Sequence, residues 1–113
     1  MITNFEEVTE GLSHVEVTVI LPKVIELLKY RQGKDNAITN KKMRNLLSAM
    51  GHDVHPAQIR KMINQIRLKG LVANLLASAK GYYVSNDKKE IDKYVSSLRE
   101  RASAINAIAA ELE

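Results

Sequence analysis

Apolar positions along the chain fall into helical and strand periods separated by clear breaks. Over residues 1–13, Phe5, Val8 and Leu12 share one helical face, and Asn4 with Glu7 has capping-box spacing. Gly11 interrupts that face, so the segment reads equally as a short helix or as disorder. In HVEVTVILPKVIELLKYRQG, Val15, Val17, Val19 and Leu21 alternate as in a strand. Ile20 or Leu21, Val24, Leu27 and Leu28 recur as in a helix. Pro22 fits the first turn of a helix and no later position. The spacing therefore predicts a helix from about Thr18 to Gln32, ended by Gly33.

Ala37 and Ile38 predict a short extended piece, and Thr39 an N-cap. Met43, Leu46, Leu47 and Met50 give the stripe of a second helix, about Asn40 to Met50, with Gly51 closing it. His52 to His55 is a tight turn containing one apolar residue, Val54. Pro56 then opens a third helix, PAQIRKMINQIRLKG, with Ile59, Met62, Ile63 and Ile66 inward and Gly70 at its end. LVANLLA reads as a strand, SAKG as a turn and YYVS as a returning strand. Asp87 and Glu90 have capping-box spacing before a long helix. The fold class expected is mainly α with a small β-hairpin, in three parts: an arm over 1–17, a domain over 18–86 and a helix over 87–113.

Charge sharpens this division. The net +4 of the 113 residues conceals a −4 arm over residues 1–19, which hold four Glu and no Lys or Arg. Residues 20–81 hold twelve Lys/Arg against three acidic residues, a net +9, and residues 82–113 are near neutral at −1. A basic middle attracts phosphate polymers. The chain has no cysteine, which excludes disulfides, thiol nucleophiles and Cys-based zinc sites. Four Tyr, one Phe and no Trp supply a base-stacking surface poorly. No apolar run approaches the ~18 residues of a membrane span, and MITNFEEVTE lacks signal-peptide order. A cytoplasmic protein is expected.

Two helices joined by a four-residue turn, with a hairpin directly after the second, have the spacing of a helix-turn-helix followed by a wing. In AITNKKM, GHDVHPAQIRKMINQIRLKGL, SAKGYYVSND and the long helix that follows, the chain resembles winged helix-turn-helix DNA-binding proteins, most nearly the small members that phages and mobile elements encode. The resemblance covers roughly residues 18–113. It implies a winged fold, double-stranded DNA as partner, and a role in regulating transcription, replication or excision, in a bacterial or phage-infected cell.

The residues themselves point the same way. Opposite the inward stripe of helix 56–69 lie Ala57, Lys61, Asn64 and Leu68, with Arg60 and Gln65 flanking and Gln58 near the start. Asn and Gln can pair with adenine, and Arg and Lys with guanine. The base-reading candidates are thus Gln58, Arg60, Lys61, Asn64 and Gln65. Lys41 and Lys42 sit in the first turn of a helix, where cations oppose the dipole unless an anion docks there. With Arg44, and Lys80 at the wing tip, they are the phosphate candidates. His52 and His55 supply too few ligands for a metal, and no catalytic set or cofactor motif emerges, so the expectation is a non-enzyme without metal or cofactor.

In the last helix Ile91, Leu98, Ile105 and Leu112 recur every seven residues, with Tyr94 and Ile108 in a second seam that Arg101 breaks. Val95, Ala102 and Ala109 widen the stripe. Tyr94, Leu98, Ile105, Ile108 and Leu112 are candidates for homodimer contacts; the alternative is a helix folded back on its own domain. Against the DNA-binding reading stand a winged module that binds a protein partner and a replication accessory that binds both.

Overall fold

The computed structural model describes residues 13, 14 and 16–113. The helix or disorder expected before Ser13, with its Asn4–Glu7 cap, lies outside the described residues. Among these residues the chain is mainly helical, with one small antiparallel hairpin and a long C-terminal helix.

A π-helical turn over Glu16–Ile20 leads into α1, Leu21–Lys29, which has Pro22 in its first turn. The expected helix from Thr18 to Gln32 thus begins as a π-helical turn and ends early, at Lys29. Its C-terminal end is lost to pairing with the hairpin. Gly33 N–H donates to Val84 O at 2.9 Å, Val84 N–H donates to Arg31 O at 2.7 Å, and Gln32 forms a bridge with Val84. Gly33, at φ +82°, makes that reversal cheaply. After a 3-10 turn over Lys34–Asn36, α2 runs over Asn40–Ala49, with Thr39 Oγ1 accepting from the Lys42 N–H. Six residues, Met50 to His55, separate it from α3, Pro56–Lys69. Gly70 adopts the left-handed conformation, and Leu71 N–H reaches back to Ile66 O at 3.0 Å, so a Schellman-type end stops α3.

The hairpin joins β1, Leu75–Ser78, to β2, Gly81–Val84, with Leu75 opposite Val84 and Ser78 opposite Gly81. The first strand begins four residues later than LVANLLA suggests. The Schellman end consumes Leu71, and Asn74 turns the chain at φ +59°, a conformation asparagine tolerates. Finally α4, Lys88–Leu112, starts at Asp87, whose carboxylate accepts from the Lys89 N–H at 2.9 Å. Glu90 does not return the bond, as a capping box requires. Its carboxylate accepts instead from Tyr83 OH at 3.0 Å and from Ser85 Oγ, which fastens α4 to the end of β2.

One core unites the domain. Val24 and Leu28 of α1, Met43 and Leu47 of α2, and Ile59, Met62, Ile63 and Ile66 of α3 are all buried, together with Ile38, Val72, Leu75 and Val84. Val54, inside the turn, packs against them half-buried. Each of these side chains removes apolar surface worth about 1.5–3 kcal/mol when fully buried. In contrast, α4 buries no side chain fully, and everything after Leu98 is exposed.

Candidate nucleic-acid interface

A chain of backbone and asparagine contacts brings the wing tip and the starts of α2 and α3 to one end of the domain. Ile38 exchanges both backbone hydrogen bonds with Tyr82, each at 2.9 Å, so the segment before α2 lies against β2 as a third, minimal strand. Gly81 permits this approach. A side chain there would run into the Ile38 carbonyl and lie 2.8 Å from Thr39 N, and the residue sits at φ +118°. Thr39 caps α2, and the next residue, Asn40, reaches across to α3. Its Nδ2 donates to Pro56 O at 3.2 Å, while its Oδ1 accepts from Arg44 Nε at 2.9 Å. The two helices are therefore tied first turn to first turn, with Arg44 held half-buried beside the joint.

The phosphate candidates lie on the elements that meet here. Lys41 and Lys42 are exposed in the first turn of α2. Lys80 stands at the hairpin tip, where Ser78 Oγ closes the turn by accepting from the Lys80 N–H and donating to Gly81 O. Its ammonium lies 3.6 Å from Asp35, but both groups are well exposed, and such a pair is worth little and yields readily to a phosphate. The other nearby acid, Asp53, accepts from Ser48 Oγ in the turn after α2.

On α3 the outward face carries Ala57, Arg60, Lys61 and Asn64, all exposed, with Leu68 continuing it. Two expected base readers belong elsewhere. Gln65 is only 2% exposed and faces the interior, although by helix geometry it lies about 40° from exposed Lys61 and about 60° from buried Met62. Its Oε1 has no hydrogen-bond partner among the described residues. Gln58 is half-buried, and its Oε1 accepts from the His55 N–H at 2.8 Å, so it secures the start of α3. Arg67 turns away from this face: its guanidinium donates to Tyr94 OH at 2.7 Å and lies over that ring, linking α3 to α4.

That bond also corrects the expectation for Tyr94, which is half-buried against its own domain rather than free for a second chain. Leu98 is 37% exposed, whereas Ile105, Ile108 and Leu112 stand 62–83% exposed on the projecting part of α4. Among the described residues no three His, Asp or Glu converge as a metal site, and no helix is long and apolar enough to cross a membrane. Asn40 is the positioning residue that the sequence pattern did not single out. Its partner is sixteen residues away, and its local setting is that of any first-turn asparagine. Comparison with protein-family models, with curated proteins and with solved structures finds no match.

Proposed function

We propose that the chain is a winged helix-turn-helix protein that binds double-stranded DNA, laying the exposed face of α3 in the major groove and the 78–81 turn along the backbone. The observation that carries this reading is the Gly81–Ile38–Thr39–Asn40–Pro56 connection, which brings the hairpin next to Lys80 and the first turns of α2 and α3 to one end of the domain. B-DNA's major groove admits a helix, and helix-turn-helix proteins read base edges from the N-terminal part of the second helix. On α3 that part presents Arg60, Lys61 and Asn64. A phosphate docked at the start of α2 turns the dipole cost of Lys41 and Lys42 into a gain. The resemblance of the quoted segments extends the proposal to a non-enzymatic regulator of transcription, replication or excision of the kind phages and mobile elements encode.

Selection of duplexes from a random pool, followed by titration against salt, tests the proposal. Each phosphate neutralised contributes about −0.9 to the log–log salt slope, so four or five contacts predict about −4 per protomer. No enriched sequence, together with a flat salt response, would favour the alternative of a winged module that binds protein.

A further inference from the structure

Between the hairpin and the beginning of α4 lies a cleft of about 510 Å³. None of the proposed DNA contacts lines it. Its volume falls within the range of roughly 300–1,000 Å³ that small-molecule sites occupy. Leu76 and Ala77 of β1 and Tyr83 of β2 form one wall. On the other wall α4 presents Lys89, Lys93 and Ser97, which recur every four residues and so share a face. Lys34, in the 3-10 turn before α2, supplies a third cation.

The acids and bases of this cleft are not matched to each other. Two carboxylates line it, and both already accept hydrogen bonds from the protein. Asp87 takes the Lys89 N–H as the cap of α4, and Glu90 takes Tyr83 OH and Ser85 Oγ. Neither pairs with a lysine, and Lys34, Lys89 and Lys93 are in no ion pair among the described residues. Three ammonium groups therefore border a space whose floor is apolar. Leu76 and Tyr83 are buried there, and the half-buried Tyr94 ring is held by the Arg67 guanidinium.

We propose that this cleft binds a small phosphate monoester with an apolar body, its phosphate among Lys34, Lys89 and Lys93 and its body against Leu76, Ala77 and Tyr94. Charge decides for phosphate. A phosphate monoester carries about two negative charges near neutral pH and three strong acceptor oxygens, enough for three separate ammonium groups. A carboxylate offers one charge and two oxygens, and leaves a lysine over. Lysine binds phosphate as a point charge on a flexible stem, so the three need no fixed fork geometry. The occupant touches both the hairpin and α4, a helix that buries no side chain fully. Binding should therefore stabilise the fold by mass action.

Phenyl phosphate is the probe, titrated at constant ionic strength into the isotope-labelled full chain and followed by amide NMR. Saturable shifts should centre on Ala77, Ser78, Lys89 and Lys93. Inorganic phosphate, which has no body to bury, should bind about tenfold more weakly or worse. Lys89→Gln with Lys93→Gln should weaken phenyl phosphate by about tenfold or more. Ser97→Trp keeps every charge but fills the cleft, and should weaken it as much. Both variants change exposed residues, and circular dichroism checks that they fold. Lys41→Gln with Lys42→Gln should have no effect. Shifts spread over surface lysines, or equal affinity for inorganic phosphate, would mean an adventitious ion only and overturn the proposal. So would unchanged affinity in either cleft variant. A duplex that shifts the same amides and displaces the probe would assign the cleft to the DNA backbone and refute a small-molecule site. The probe titrations need no DNA, so they stand or fall apart from the DNA-binding proposal.

Discussion

Gln65→Met separates the two roles that this position could hold. The side chain is buried within α3, and its amide oxygen lacks a partner among the described residues. A buried acceptor left unpaired costs about 1–3 kcal/mol. Methionine has nearly the same length, similar helix propensity and no group needing a partner. Removing the oxygen should recover that cost, less about 1 kcal/mol for any bond the amide nitrogen makes. A net gain of about 1 kcal/mol raises the melting temperature of a domain this size by roughly 4–8 °C. Thermal unfolding by circular dichroism reads the gain, and a titration on the selected duplex reads the other half of the argument. Because Gln65 does not face the groove, affinity should be unchanged. A base-reading glutamine would behave in the opposite way, losing about 1–3 kcal/mol of discrimination with stability unaltered. A variant that melts below wild type, or binds its preferred site tenfold more weakly, would refute the interior assignment.

Lys61→Ala and Asn64→Ala are exposed changes that should leave melting unchanged and cost about 1–3 kcal/mol each on the preferred duplex, with little effect on random DNA; equal affinities for both variants and wild type would remove α3 from the groove. Gly81→Ala forces a side chain toward the Ile38 carbonyl at φ +118° and should destabilise by about 2 kcal/mol or more, measured by urea unfolding. Burial and the hydrogen bond to Glu90 raise the pKa of Tyr83 above 10.0. The folded state then holds a proton that the unfolded state releases, so stability is complete below pH 10 and falls as pH rises through the folded pKa. Tyr83→Phe should flatten that alkaline decline in a melting-temperature profile; an unchanged decline would assign it to other groups.

Local chemistry made much of the fold readable. Pro22 and Pro56 mark helix starts, Thr39 caps α2, and Gly70 ends α3, because each residue type acts on the backbone within one turn of itself. Errors arose where a distant partner outweighed a local preference. Residues 30–32 continue a helical pattern, yet Val84, more than fifty residues later, takes the Arg31 carbonyl and the Gly33 N–H. Asp87 and Glu90 have capping-box spacing, but Tyr83 and Ser85 claim the Glu90 carboxylate. A pattern reader sees the spacing and cannot see the competitor.

The same distinction divides the proposed interface. Lys61 and Asn64 are exposed because they lie opposite the centre of the buried stripe, where a shift of one flank cannot bring them inside. Gln65 lies at the margin, about 60° from Met62 by helix geometry, so the width of the surrounding core decides its fate, and that width is a tertiary quantity. Gln58 illustrates a second limit: an amide early in a helix can read a base or cap the chain, and the nearby His55 N–H settles the choice by proximity. Asn40 adds a third. It contributes no charge and no apolar surface, yet it fixes the angle at which α2 and α3 present their cations. Asn40→Ala should therefore weaken duplex binding through loss of alignment, with a salt slope close to wild type. Deleting Lys41 or Lys42 should instead reduce the slope by about one for each lost phosphate contact.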